Sequence, residues 1–442
     1  MTNLEIGLWS FPLLLVLIFL RIPIALAMFA VGVGGSYLIV GSLTPMLAQM
    51  KHLTYGTFSS YSFSIIPLFL LMGQFATVSG MSAALFKAAE TWLGHRRGGV
   101  AMAAIGACSG FGAICGSSLA TAATMGQVAL PELRKYGYSG ALATGTLAAG
   151  GTLGVLIPPS IVLVIYAILT EQNIAKLFVA AIIPGIMAAI LYMLAISIYV
   201  RVFPGSAGQR ERAPYSERFR ALGAVWPVLL VFLTVVGGIY LGWFTPTEAA
   251  AIGAAGTGLI GVVNGGLTWR SVLAAIYATA TTTGMIFMIV LGASLYNSFL
   301  ALSQLPQEAT LFITSGGFDP WSIMIAILLL YLILGCLMDS LSMILLTIPI
   351  LFPIAAGLDF GLEPEAFALW FGVIVLIVVE VGLITPPVGL NLFVINSMAR
   401  DIPLGHTFRG VTPFIMSDIL RLALLTAFPS ITLFLVNLLY YP

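Results

Sequence analysis

Hydrophobic positions in this chain fall into long blocks separated by short polar or basic stretches. Blocks at 8–20 and 24–40 are joined by the turn Arg21-Ile22-Pro23, and a polar stretch around Lys51, read as a loop, leads to a third block at 64–78. Residues 81–93 instead set apolar side chains at helical spacing around Lys87 and Glu90, the pattern of an amphipathic helix lying at a membrane interface. Further blocks follow at 98–133, 141–169 and 174–200. After the polar loop 201–220 come 222–243, 249–263 and 271–300, a polar segment at 304–318, and then 321–356, 366–398 and 412–438. A helix needs about 20 apolar residues to cross a hydrocarbon core of ~30 Å, so the pattern predicts an all-α protein that crosses a membrane many times.

Two regions of this pattern share a layout. In each, a small-residue tip (Gly116-Ser117-Ser118, then Met338-Asp339-Ser340) is followed by a proline 13 positions beyond Ser118 (Pro131) or 14 beyond Asp339 (Pro353). A double proline then interrupts the next apolar run, at Pro158-Pro159 and at Pro386-Pro387, and a further proline lies 26 or 27 positions on. The stretch 98–133 is short for two full crossings and a turn, so both it and 321–356 are read as re-entrant helical hairpins. Irregular backbone at membrane depth survives only where protein or a water-filled cavity satisfies it, and the glycine and serine of the first tip suit such a turn. Proline removes a donor and clashes with the preceding turn, so 141–169 and 366–398 are read as broken transmembrane helices. Interrupted segments at matching places in two halves point to a transporter's binding site.

Charge fixes the expected orientation. Arg96-Arg97 and Arg134-Lys135 flank the first hairpin, whereas Asp319 and the group Asp359, Glu363 and Glu365 flank the second, so the hairpins enter from opposite faces. The loop 201–220, with Arg201, Arg210, Arg212, Arg218 and Arg220, is the strongest cytoplasmic marker. The first half then makes an odd number of crossings. Residues 1–220 and 221–442 form an inverted repeat with both termini outside, and all basic residues except Lys51, Lys176 and Arg421 fall inside. Met1 to Glu5 lacks the basic start of a cleaved signal, so the first block is read as a retained span.

Composition narrows the function. Of 442 residues 60% are hydrophobic and only 7% charged, against roughly 25% charged in an ordinary soluble domain. No soluble domain of useful size remains, and a net charge of +1 argues against nucleic acid as a partner. Cys108, Cys115 and Cys336 lie in apolar segments without metal or redox spacing and are read as packing residues.

Ionisable residues at membrane depth are functional hypotheses by default. Asp339, at the second tip, is read as a ligand that joins freed carbonyls around a small cation, with a plain hairpin cap as the alternative. Asp418 and Arg421, three apart, are read as an ion pair on one helix face. Glu380 is left open between lining a cavity and structural pairing. Ser117, Ser118 and Thr121 offer hydroxyls at the first tip, the breaks offer carbonyls near Gly154 and Ile157, and the threonines at 279 and 281–283 are read as packing, with a polar path as the alternative. His52, His95 and His406 fall in loops or interfaces. An intramembrane protease would pair Asp339 with Asp418, but no protease motif surrounds either. A channel would be expected to show a symmetric filter rather than two unlike inverted halves.

The stretches GSSLATAATMGQVALPELRKYGY, GTLGVLIPPS and LITPPVGLN closely resemble signatures of the large membrane subunit of tripartite ATP-independent periplasmic (TRAP) transporters, within the ion-transporter superfamily, and the likeness covers essentially the whole chain. The resemblance implies a sodium-driven importer of organic acids such as C4-dicarboxylates or sialic acids. It would work as an elevator in the bacterial inner membrane, with a separate four-helix membrane subunit and a soluble periplasmic binding protein as partners. On that basis sodium is placed at Ser117, Ser118, Gly154, Ile157 and Pro158, and at Asp339, Ser340, Gly382, Thr385 and Pro386. Substrate is placed at Thr121, Pro159 and Asn391. Carboxylate transport without a binding protein is the alternative.

Overall fold

The computed structural model describes residues 2–440, and among them every regular element is helical. Helices α1 (Asn3–Phe19), α2 (Ile24–Val40), α3 (Thr44–Ser59), α4 (Ile65–Val78) and α5 (Met81–Leu93) open the chain. The first hairpin follows as α6 (Gly99–Cys115) and α7 (Ser118–Lys135), then the broken pair α8 (Gly140–Leu156) and α9 (Ile161–Leu169), and the 29-residue α10 (Ile174–Val202). Helix α11 (Tyr215–Gly223) straddles the middle of the chain, and the second half runs on through α12 (Trp226–Phe232), a π-turn at Leu233–Gly237, α13 (Gly238–Tyr240), α14 (Pro246–Val263), α15 (Trp269–Ser303) and α16 (Leu305–Ser315). It ends with the second hairpin, α17 (Pro320–Gly335) and α18 (Ser340–Ala356), the broken pair α19 (Pro364–Gly382) and α20 (Leu390–Met398), and α21 (Leu404–Ala427) and α22 (Pro429–Tyr440).

Six of these helices are long and apolar enough to cross a membrane alone, and eight spans result if each sharply bent pair counts as one. Helices α1 and α2, at 17 residues each, rise about 25 Å and fall just short of a full crossing. The outward faces are apolar: Leu259, Val262 and Val263 on α14 and Ile325, Leu329 and Ile333 on α17 are each more than half exposed. An apolar exterior of this extent is stable against lipid rather than water.

Packing is reciprocal between the halves. Helix α2 lies against α15 as α4 lies against α14, and each half lends a short limb to the other's hairpin, α9 to α18 and α20 to α7. The hairpins α6–α7 and α17–α18 lean on their own broken helices, while α10 and α21 pack on each other. One group is therefore built from α1, α2, α4, α14 and α15, and the hairpins with the broken helices form a second.

Three segments differ from the sequence reading. Residues 44–59 are the helix α3, not a loop, because Pro45 at its first turn is tolerated and nothing breaks the run before Ser60. The basic loop 201–220 is pinned rather than free: Arg210 contacts Glu90 at 3.4 Å and Glu217 at 2.7 Å, its N–H donates to the Gly94 carbonyl, and helix α11 begins inside it. The last block, expected as one span over 412–438, is two helices meeting at Phe428, whose backbone leaves the helical region before Pro429, as a residue preceding proline tends to do.

Candidate functional site

Each hairpin turns where the sequence places a residue able to end one helix and cap the next. Helix α6 stops at Gly116, whose φ of 65° is the left-handed conformation glycine adopts without penalty. Ser117 then caps α7, its hydroxyl accepting from the Ala120 N–H at 3.4 Å. In the second hairpin α17 ends at Gly335, and three residues lead to Asp339, the cap of α18. The two carboxylate oxygens of Asp339 accept from the Ser342 N–H at 3.1 Å and from the Ser342 hydroxyl at 2.6 Å. Asp339 thus performs the capping role that was the alternative for it. A carboxylate has about four lone-pair sites, so capping does not exhaust it.

The breaks meet the tips. Bare backbone lets the first break approach: a Cβ on Gly154 would stand 2.8 Å from the Ser117 carbonyl oxygen and would also strike Thr121, and one on Gly112 would stand 2.6 Å from the Gly154 Cα. Ile157 ends α8 with extended backbone, the Pro158-Pro159 peptide is cis, and the α8–α9 pair bends by 44°. The second break does the same through Gly382, which abuts Gly335. The Gly389 N–H reaches the Cys336 carbonyl at 3.4 Å, and the Cys336 thiol reaches the Pro386 carbonyl at 3.5 Å. Its cis Pro386-Pro387 is exposed, whereas Pro158-Pro159 is buried, so the two breaks share a plan but not an environment. The Thr385 hydroxyl donates to its own helix at Val381, 2.6 Å away.

Two of the residues placed with substrate, Thr121 and Asn391, lie on the glycine face of α8. Thr121 is fully buried and its hydroxyl has no hydrogen-bond partner among the described residues. Asn391, also fully buried, comes from α20 in the other half; its amide donates to the Ala148 carbonyl at 3.3 Å, and its Oδ1 is without a partner among the described residues. The Ser118 carbonyl and the Asn391 amide both lie about one contact distance from Gly151, at 3.1 and 3.0 Å from a Cβ built there. Pro159 presents its carbonyl to the Gly116 turn. The polar atoms left without a partner here, the Thr121 hydroxyl and the Asn391 Oδ1, are both neutral oxygens.

The two tips open into one space. A cavity of about 90 Å³ is lined by Gly116, Ser117 and Ser118 from the first hairpin and by Asp339, Ser340 and Leu341 from the second. Thr282 of α15 lines it as well, so the threonine run read as packing reaches the cavity from the other group of helices. Beneath it Glu380, one per cent exposed, accepts on a single oxygen from the Ser118 hydroxyl at 3.0 Å and from the Ser340 hydroxyl at 2.6 Å. The sequence reading left Glu380 open. Its signal was a lone carboxylate six residues before Pro386, in a segment otherwise free of charge.

The expected pair is present: Arg421 Nη2 lies 2.8 Å from Asp418 Oδ1, both buried. The Tyr192 hydroxyl donates to Asp418 at 2.6 Å and lies 3.1 Å from the Thr152 hydroxyl, which ties α10, α21 and α8 together. Sequence reasoning had no means of finding Tyr192 or Thr152. None of the histidines lines the cavity. His95 sits in the turn between α5 and α6, where burial and then the charges of Arg218, Arg212 and Arg96 hold its imidazole below the ordinary value.

With this geometry in place, the chain can be compared with known proteins. The family model described as the DctM component of the tripartite ATP-independent periplasmic transporter matches residues 11–431. The C4-dicarboxylate TRAP transporter large permease protein DctM of Pseudomonas aeruginosa is 36% identical over 411 residues, 92% of this chain and 94% of that one. The sialic acid TRAP transporter large permease protein SiaM of Vibrio cholerae is 31% identical over 96% of both chains. The isethionate TRAP transporter permease protein DctMQ of Oleidesulfovibrio alaskensis is 31% identical over 93% of this chain but only 64% of its own length. The YdaH transporter of Alcanivorax borkumensis shares the fold, with a TM-score of 0.60 over 86% of this chain and 88% of that one at 16% identity.

Proposed function

Since the chain belongs to the DctM family of tripartite ATP-independent periplasmic transporters, a family of permeases and not of enzymes, we propose that it is the sodium-coupled membrane path for an organic acid. The observation that carries this reading is the single cavity shared by both hairpin tips. Carbonyls of Ser117, Ser118 and the Gly154–Pro158 break surround a cation at one side, and Asp339, Ser340 and the Gly382–Pro386 break do so at the other. Helix N-termini attract anions through their free N–H groups and dipole, and α7, capped by the neutral Ser117, keeps that capacity for a substrate carboxylate. Cation and anion held side by side offset each other's charge, so each favours binding of the other.

The similar proteins are named for C4-dicarboxylate, sialic acid and isethionate, which share an acidic group and little else. The acid group is therefore the part of the substrate read by the tips, and the remainder by surrounding side chains. The reading further assigns a bacterial inner-membrane location, a small four-helix membrane subunit and a periplasmic binding protein that delivers substrate. The hairpins and broken helices move as a body against α2, α4, α14 and α15, and Thr282 on α15 marks the boundary they cross.

The test is uptake in proteoliposomes holding this chain, the small subunit and the binding protein, with a panel of carboxylates. Uptake driven by an inward sodium gradient is expected, and Asp339→Asn, which keeps an oxygen for the Ser342 cap, is expected to raise half-saturating sodium. Uptake that follows a proton gradient and ignores sodium would refute the reading, as would equal rates without the binding protein.

A further inference from the structure

We propose that Glu380 is a positioning residue that ties the two hairpin tips into one unit, so that the geometry of either tip is set by the other. Ser118 and Ser340 are the first residues of α7 and α18, the helices that descend from the two tips, and they come from opposite halves of the chain. Their hydroxyls converge on the same oxygen, Glu380 Oε1, at 3.0 and 2.6 Å. Ser118 and Ser340 are themselves buried, which limits competition from bulk water for these bonds.

The charges around Glu380 fit this task. Arg421, the buried cation nearest in kind, is engaged with Asp418 at 2.8 Å, and Glu380 Oε2 has no hydrogen-bond partner among the described residues. The two helix N-termini whose first residues donate to it are also ends that favour an acidic group. An acceptor that serves two donors holds both only while both tips keep their positions. The repeat supplies one such group, not two: the position matching Glu380, six residues before Pro158, is Thr152, whose hydroxyl turns instead to Tyr192 and the Ala149 carbonyl. One carboxylate from the second half therefore spans both tips. For transport this means that the two ion sites form together, a consequence that rests on the sodium reading above; the tie itself does not.

The experiment uses the full chain in detergent with its three cysteines replaced and Leu119→Cys introduced beside Ser118, on the cavity wall. The rate at which a small maleimide modifies this thiol reports the first tip, and the second tip is perturbed by Ser340→Ala. Ser340→Ala is expected to speed modification about five-fold, the factor that one net hydrogen bond contributes to an opening equilibrium. The same change is expected to add nothing in a Glu380→Ala chain, where the tie is already absent. Glu380→Gln, which keeps an acceptor oxygen, is expected to restore both the slow rate and the response to Ser340→Ala. The proposal falls if Ser340→Ala leaves the thiol's rate unchanged, or accelerates it equally when residue 380 is alanine. If Glu380→Ala does not fold, the Ser340→Ala comparison in the Glu380 chain still decides, since no acceleration there overturns the tie. Sodium is then added: slowing in the Glu380 chain and none in Glu380→Ala supports joint ion sites. No sodium effect in the Glu380 chain overturns the sodium reading while the Ser340→Ala comparison stands on its own.

Discussion

At the scale of single residues, the acidic side chains of the last two hundred residues' apolar segments are each held by a different device. Asp339 caps a helix, Glu380 is bridged by serines, and Asp418 faces Arg421 and Tyr192. At 2.8 Å the Asp418 and Arg421 charges touch, but the guanidinium N–H groups do not point along the contact, so it is ionic rather than a well-formed hydrogen bond. Removing one member of such a pair leaves the other charge stranded, which costs about 3–5 kcal/mol, whereas replacing both by apolar groups is often nearly neutral. Arg421→Met alone is therefore expected to lower the thermal midpoint in detergent steeply, and Asp418→Leu with Arg421→Met to recover most of the loss. Purely additive losses in that double-mutant cycle would show that the two charges do not depend on each other.

At the scale of elements, glycine decides where the hairpins and broken helices can touch. Gly154 lets the tip of the first hairpin close on the first break, because a side chain there would meet the Ser117 carbonyl at 2.8 Å. Backbone cannot yield as a flexible side chain can, so Gly154→Ala is expected to cost about 1–3 kcal/mol, the range of an overpacked core. Gly34→Ala in α2, where nothing lies within 4 Å, is the matched control and is expected to leave stability unchanged or to raise it by up to about 1 kcal/mol. Thermal unfolding of both variants checks this, and equal midpoints would mean that the tip and break do not need their close approach. The sequence showed the prolines and tip residues that make these elements, and 81–93 stands as the helix Met81–Leu93. Residues 44–59 read as a loop because they are polar, and the break at Phe428 follows from Pro429, a single local signal inside an apolar run that otherwise reads as one span.

At the scale of the molecule, the reciprocal packing of α2 on α15 and α4 on α14 accompanies hairpins whose flanks carry opposite charge. Basic residues favour the cytoplasmic side, so the hairpins are expected to open to opposite faces. Single cysteines in place of Lys135 and Glu363, in a cysteine-free chain in right-side-out membranes, test this with an impermeant maleimide. Labelling of position 363 from outside and of position 135 only after the cytoplasmic face is opened is expected; both labelled from one side would refute the inverted arrangement.

What the sequence by itself determined was the set of elements and where each is interrupted, because apolar block length, proline and capping residues act within a few residues of their own position. It thereby marked Ser117, Ser118, Asp339 and Ser340 as tip residues and placed Asp418 beside Arg421, three residues away on one helix. What only the tertiary structure decided was which tips share a space and what joins them. Ser118 and Glu380 are 262 residues apart, and Asn391 meets Ala148 across 243. No local preference encodes such distances; they arise when two halves that each carry unfinished polar groups fold against one another, and burial leaves those groups no partner but each other.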